Sequence, residues 1–412
     1  MRILFIHQNF PGQFRHLALA LKADGHDVRA LAMGGAGLPA IPMTRHQTQP
    51  PPTGGSGAPW LKEFESKVLR GASALGAMVA LDQNGWRPDL VIAHPSWGEA
   101  LFVKDLWPRA RLLCYLEFFY ASEGRDVGFD PEFGPADLGV RSQLRLKNAV
   151  HLLALDCMDL GLAPTQWQRA SFPASAQASI EVVFDGIDTT RVRPNAAAEL
   201  VVQSASGQAR RLKAGDEVIT FVSRQLEPYR GYHQFMRALP AMLKARPEAV
   251  AVIVGGSKVS YGPAAPNGQS WRDLFLQEVQ PQLDMERVFL LGQVEYERYL
   301  QVLQVSACHV YLTYPFVLSW SCVEALAAGC LVVGSRTAPV QEFVEHGQNG
   351  LLVDFFQPDA LAGQVIEALA HPQRFAPLRQ RAREWAVERH DLRQFALPAQ
   401  RAVIDRLMGG LA

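Results

Sequence analysis

The sequence predicts an α/β protein built from two doubly wound parallel-sheet domains. Short, almost wholly apolar runs recur along the chain, each followed by a longer stretch with helical spacing. Runs of that kind read as strands buried on both faces, as in parallel sheets whose crossover helices cover both sides. A chain of 412 residues also exceeds what one hydrophobic core holds.

In the first half the runs are RILFIH (2–7), DVRALAM (27–33), DLVIAH (89–94), RLLCYLEF (111–118) and LGLAPT (160–165). The first opens the chain directly as a strand, with no cleavable apolar region before it. The segment from Met33 to Trp60 is rich in glycine and proline, which disfavours regular structure and predicts a mobile loop. The segment from Asn195 to Lys213 has no strong strand pattern and lies between two strand-rich blocks, so the domain break is expected there. In the second half the runs are EVITFVS (217–223), AVAVIVGG (249–256), RVFLLG (287–292), CHVYLTY (308–314), CLVVGS (330–335) and LLVDF (351–355). A closing amphipathic helical run is expected to brace the domains. The expected division is 1–195, 196–390 and a terminal helix over 391–412. Ligands of such sheets bind beyond the carboxyl ends of the strands, so the cleft between domains is the expected site.

Charge excludes some classes of partner. Basic and acidic residues balance at 40 each, which argues against nucleic acid and against strong docking on an anionic membrane. The five cysteines are odd in number, unclustered and set mostly in apolar runs, so reduced buried thiols are expected rather than disulfides or a zinc site. No uncharged apolar run reaches the roughly 20 residues that span a bilayer.

Candidate binding residues stand at the strand ends. Arg224 ends the EVITFVSR strand, and Arg230 precedes Gly231 and a helix. Two permanently charged, bidentate groups beside a helix amino terminus suit a diphosphate; two solvated surface arginines fit the same pattern. Gly12 sits in the turn after the first strand, where glycine commonly just forms the turn. Glu324 lies near the start of a helix that Gly329 ends. With Ser321 it has the S-x-x-E spacing of a capping box, and a carboxylate there equally suits a vicinal diol.

These residues resemble a known family. The arginines before Gly231, VFLLGQV, the block around EALAAG and SRTAPVQEFVEHGQNGLLVD look like the nucleotide-sugar half of retaining glycosyltransferase family 4; GQFRHLALALKADGHDVRAL is similar to its acceptor half. The resemblance implies the GT-B fold, two Rossmann-like domains facing across a cleft. It implies transfer of a sugar from a nucleoside diphosphate to an acceptor hydroxyl with retained anomeric configuration. No cofactor or catalytic metal is implied, in keeping with a sequence that has no Asp-x-Asp pair. Arg224 and Arg230 then hold the diphosphate, with Arg230 in place of a lysine. Glu324 contacts the ribose, Gly12 lies near the donor phosphates, and Ser319, Trp320 and Ser321 line the donor site.

Two positions depart from the family. Phe316 stands where the first motif glutamate would hold hydroxyls of the transferred sugar, leaving backbone N–H groups from Val317 to Trp320, or an apolar sugar face, to do that work. Glu117 occupies the place of the family's acceptor-side histidine, and His94 ends the preceding strand, so either is a candidate for acceptor-side catalysis. The implied role is cell-surface glycan or glycolipid assembly in the cytoplasm, with weak or absent association with the inner face of the membrane and a glycan, lipid-linked or protein acceptor. A nucleotide-sugar epimerase on the same fold and a non-catalytic nucleotide-sugar binder are the competing readings.

Overall fold

The computed structural model describes residues 1–48 and 59–409. The chain forms two compact units, one of Met1–Asp185 with Arg393–Ala412 and one of Gly186–Leu392.

The first unit is a parallel sheet of seven strands: β1 (Arg2–Ile6), β2 (Asp27–Ala32), β3 (Met43–Arg45), β4 (Leu90–Ala93), β5 (Arg111–Tyr115), β6 (Leu160–Ala163) and β7 (Ile180–Val182). Their order is β3-β2-β1-β4-β5-β6-β7. Side chains alternate across a strand, and β1 shows why its run is apolar throughout. Ile3 and Phe5 enter a core with Leu17 and Leu21 of the helix Arg15–Ala23, while Leu4 and Ile6 enter another with Ala74 and Met78 of the helix Lys62–Gln83. Fully burying a side chain of this size stabilises the fold by roughly 1.5–3 kcal/mol.

The Gly/Pro-rich segment is more ordered than its composition suggests. Met43–Arg45 pairs with β2, and Leu38 and Ile41 are buried in the core; residues 49–58 of that expected loop lie outside the described residues. The last helix, Leu397–Gly409, buries Val403 and Ile404 in this unit's core, and Arg401 forms a bidentate pair with Asp24 at 2.7 and 2.8 Å.

The second unit begins with an antiparallel hairpin, β8 (Glu199–Gln203) and β9 (Ala209–Lys213), followed by β10 (Val218–Gln225), β11 (Val250–Gly256), β12 (Val288–Gly292), β13 (Cys308–Tyr311), β14 (Val332–Ser335) and β15 (Leu351–Val353). The hairpin corrects the expectation of a strandless break. Its strands are buried on one face only, with Leu200, Val202 and Leu212 packed against Val218 and Val252, so they alternate instead of forming an apolar run. The chain passes between units at Asp185–Gly186, ahead of the hairpin. The remaining strands form a parallel sheet in the order β12-β11-β10-β13-β14-β15.

Every apolar run identified above is a strand, and both main sheets are wholly parallel. All five cysteines are free, and only Cys157 is not fully buried. Among the described residues no helix is long and apolar enough to cross a membrane.

Candidate active site

In each main sheet the strand order reverses at one place: between β1 and β4 in the first unit, and between β10 and β13 in the second. Successive loops leave such a switch point in opposite directions and open a crevice beyond the strand ends. Arg224 and Arg230 follow β10, and Gly12 and His94 follow β1 and β4, at these two places; Glu324 lies on the helix after β13.

At the second unit's switch point, Arg224 lies at the end of β10 and is exposed, with no hydrogen bond or ion pair to a described residue. Arg230 is different: it is 6 % exposed, and its Nη1 donates to Thr313 Oγ1 at 3.0 Å and to the Val317 carbonyl at 2.8 Å. Its guanidinium carbon lies 5.2 Å from the Tyr261 ring and 5.8 Å from that of Phe316. Gly231, at φ +67°, starts the following helix, and a Cβ there would come within 2.3 Å of Leu312 Cβ.

Phe316 is buried in an aromatic cluster, edge-on to Tyr261 at 4.8 Å and to Tyr229 at 5.6 Å, with Tyr229 also 4.8 Å from Tyr314. Edge-to-face rings and a stacked cation make this cluster specific in geometry. The loop that carries Tyr261 is tied down from β10 and its turn. Gln225 Oε1 accepts from Lys258 N at 2.9 Å, and Glu227 Oε2 accepts from Ser260 N and Tyr261 N at 3.1 and 3.0 Å. Glu227 is fully buried, and its Oε1 has no hydrogen-bond partner among the described residues; burial raises its pKa. Glu227 and Tyr261 were missed in the sequence. The signal was a carboxylate inside the RQLEPYRG turn.

Glu324 lies on the helix Trp320–Ala327 and accepts the Tyr296 hydroxyl on Oε1 at 2.6 Å and the Tyr299 hydroxyl on Oε2 at 2.7 Å. Burial raises its pKa, partly offset by those hydroxyls. The capping box is overturned. The N-cap is Ser319, whose hydroxyl accepts from Ser321 N at 3.4 Å and from Ser321 Oγ at 3.0 Å, which leaves Glu324 too deep in the helix to reach back. Ser319 N donates to the Tyr311 hydroxyl at 2.8 Å, so that backbone N–H is already engaged, while Trp320 beside it is exposed.

At the first unit's switch point, His7 follows β1 and His94 follows β4. Asn9 N donates to His7 Nδ1 at 2.9 Å, so Nε2 carries the hydrogen and donates to Gln13 Oε1 at 2.9 Å. Gln13 Nε2 then donates to Glu117 Oε1 at 3.0 Å. Glu117 Oε2 is 3.7 Å from His94 Nε2, long for a hydrogen bond, and His94 stacks on Trp97 at 4.2 Å. Burial lowers His7 to about 4, so it is neutral at neutral pH. Burial pushes Glu117 up, but His94, Gln13 and His7 outweigh it and the carboxyl ends below its usual range. Gly12, at φ +48°, has its Cα against the His7 ring, where a Cβ would fall within 2.3 Å. Glu117, His94 and Gly12 thus form one cluster, joined by His7 and Gln13, which sequence reasoning missed. A polar residue ending an apolar strand before a glycine turn was the available signal.

Residues 24–192 match the family described as glycosyl transferase family 4 group, and residues 205–386 match glycosyl transferases group 1. The chain is 25 % identical over 294 residues, 70 % of each chain, to a GDP-mannose-dependent alpha-(1-6)-phosphatidylinositol monomannoside mannosyltransferase of Mycobacterium tuberculosis. It is 24 % identical over 215 residues, 49 % of this chain and 52 % of the relative, to spore coat protein SA of Bacillus subtilis. Among solved structures it resembles sucrose-phosphate synthase from Thermosynechococcus elongatus, with TM-score 0.73, 18 % identity and full coverage of both chains. It also resembles Anabaena HepE in complex with UDP-glucose, with TM-score 0.64, 20 % identity, and 98 % of this chain and 100 % of that one covered. With two parallel-sheet α/β units, and family matches across both halves, the chain belongs to the family 4, group 1 glycosyltransferases of GT-B fold.

Proposed function

We propose that this glycosyltransferase transfers a sugar from a nucleoside diphosphate donor to an acceptor hydroxyl with retention of configuration and without a metal, in glycolipid or cell-surface glycan assembly. The observation that carries the reading is Arg224, an exposed guanidinium with no partner among the described residues at the end of β10, the strand whose following turn carries the buried charge of Arg230. Two permanent cations there, Arg230 held in place and Arg224 free to meet a ligand, suit the negative charge that develops on a departing diphosphate. The bond from the anomeric carbon to the phosphate oxygen breaks, the acceptor oxygen bonds on the same face, and the leaving phosphate takes the acceptor's proton. Glu117 and His94 serve the acceptor side. The mannosyltransferase relative favours a glycolipid acceptor, and HepE with UDP-glucose supports a nucleotide-sugar donor. In this reading the enzyme works in the cytoplasm, at most peripherally on the membrane.

The buried Phe316 favours one competing reading, a non-catalytic binder, because no carboxylate stands at that position. Nucleoside diphosphate release from UDP-glucose and GDP-mannose, with and without lipid and glycan acceptors and with EDTA, separates the readings. Acceptor-dependent, EDTA-resistant release is expected, with retained configuration in the product by proton NMR. An altered sugar still bonded to its nucleotide indicates an epimerase; binding without turnover indicates a binder.

A further inference from the structure

We propose that Tyr296 is the group that accepts a hydrogen bond from a ribose hydroxyl of the nucleotide, with Glu324 as the positioning residue behind it. This rests on the reading of the second unit as a nucleotide-sugar site.

Tyr296 opens the helix Tyr296–Gln304, just beyond the carboxyl end of β12, and Tyr299 follows one turn later on the same face. Each phenol has one hydrogen, and each spends it on Glu324, one hydroxyl per carboxylate oxygen. Both phenolic oxygens are therefore left as acceptors only. The three groups differ in access. Glu324 is 9 % exposed and Tyr299 8 %, whereas Tyr296 is 39 % exposed. Tyr296 is thus the one member of the triad that a ligand reaches readily.

A ribose offers two vicinal hydroxyl donors, which complement an acceptor at this place. A carboxylate behind the phenol polarises it and makes its oxygen a better acceptor, as in other hydrogen-bonded chains. The ring is also held from outside. The Arg191 guanidinium carbon lies 4.5 Å from the Tyr296 ring centroid, and Arg191 pairs with Glu297. The side chain is fixed before any ligand arrives, which lowers the ordering cost of binding. The family resemblance alone would put the ribose on the carboxylate; in this chain each of its oxygens already accepts a tyrosine hydroxyl, and the group is buried while Tyr296 is exposed.

The test is calorimetric titration of the full chain with UDP, GDP and ADP and with their 2′-deoxy and 3′-deoxy counterparts. The parent should prefer a ribonucleotide over one of its deoxy forms. Tyr296→Phe should weaken the ribonucleotide about threefold to tenfold, the scale of one neutral hydrogen bond, and should abolish that preference. Its melting temperature should fall modestly, because Glu324 Oε1 loses a donor, but the fold should hold, since the ring under Arg191 and the Tyr299 contact remain. Glu324→Gln, which turns one acceptor into a donor, should also reduce the preference. If Tyr296→Phe keeps the parent's preference, the proposal is overturned: with Glu324→Gln losing it, the ribose meets the carboxylate directly; with both keeping it, the triad only pins two helices. A parent that binds none of these nucleotides overturns the nucleotide-sugar reading itself.

Discussion

Arg230 and Phe316 lie on opposite sides of one switch point, after β10 and after β13, with the guanidinium carbon 5.8 Å from the ring centroid. Where the family resemblance leads one to expect a carboxylate that holds sugar hydroxyls, this chain has an aromatic ring facing a buried cation. The cation is correspondingly held by Thr313, the Val317 carbonyl and the rings.

The two arginines should therefore separate by phenotype. Arg224→Ala should weaken nucleoside diphosphate binding and cut turnover with little change in unfolding free energy, because the side chain is exposed and bonded to nothing described. Its binding loss should shrink in high salt. Arg230→Ala should cost about 2–4 kcal/mol of stability, through a cavity and two orphaned acceptors. Denaturant titration beside nucleotide titration distinguishes them; equal stability losses would refute the assignment.

Phe316→Glu should not raise turnover with the native donor. The carboxylate would enter a buried aromatic cluster and lose its hydration. A gain in turnover would show that the ring is not adapted to an altered sugar contact.

Glu227→Ala should cost about 1–3 kcal/mol, since it leaves the backbone N–H groups of Ser260 and Tyr261 without an acceptor. Glu227→Gln retains an acceptor oxygen and should restore most of that loss. Burial raises the pKa of Glu227 in the fold, so the native state binds its proton more tightly. This group's contribution to stability therefore falls as pH rises from its unfolded value through its raised folded value, and the glutamine variant should lack that slope. Unfolding titrations across acidic pH, compared between parent and variant, check the sign.

His7 predicts the opposite slope in the first unit. Its pKa falls from 6.5 to about 4 on folding, so between those values the unfolded chain binds more protons and stability drops as the solution is acidified. The full loss is about 3 kcal/mol at 1.36 kcal/mol per unit. Gln13, Glu117 and His94 face the ring, and the first two favour its protonation while His94 opposes it. His7→Gln should flatten the acid limb of the first unit's melting profile by that share.

Helix capping offers a direct check on the corrected boundary. Ser319→Ala should cost about 1 kcal/mol, and Ser321→Ala much less, because Ser319 is the residue that accepts at the helix start.

The fold was legible where burial is two-sided. The β1 and β11 runs are apolar at nearly every position because both faces of the sheet are covered. The β8–β9 hairpin was not, because its polar face carries Glu199, Arg211 and Lys213, which read as loop composition. At the site, Arg224, Arg230, Glu117 and His94 fall at or just beyond strand ends, as their spacing suggested, whereas Glu324 lies in the second turn of its helix. Their partners were hidden, because spacing does not say which way a side chain points. Tyr296 and Tyr299 look like ordinary members of an amphipathic helix until Glu324 is seen between them. The serine three residues before Glu324 was a false signal, since the helix begins earlier than Ser321.

The chain leaves the first unit at Asp185 and re-enters it at Arg393. Ile187 bridges Asp391, with hydrogen bonds from Ile187 N to the His390 carbonyl and from Leu392 N to the Ile187 carbonyl. The second unit is thus a closed insertion whose two ends are stapled side by side. During synthesis it is complete while the first unit still waits for the helix that brings Val403 and Ile404. Vectorial folding would then finish the later-coded unit first. A fragment spanning Gly186–Leu392 should fold alone, whereas Met1–Asp185 alone would expose the apolar seat of a helix it has not yet received.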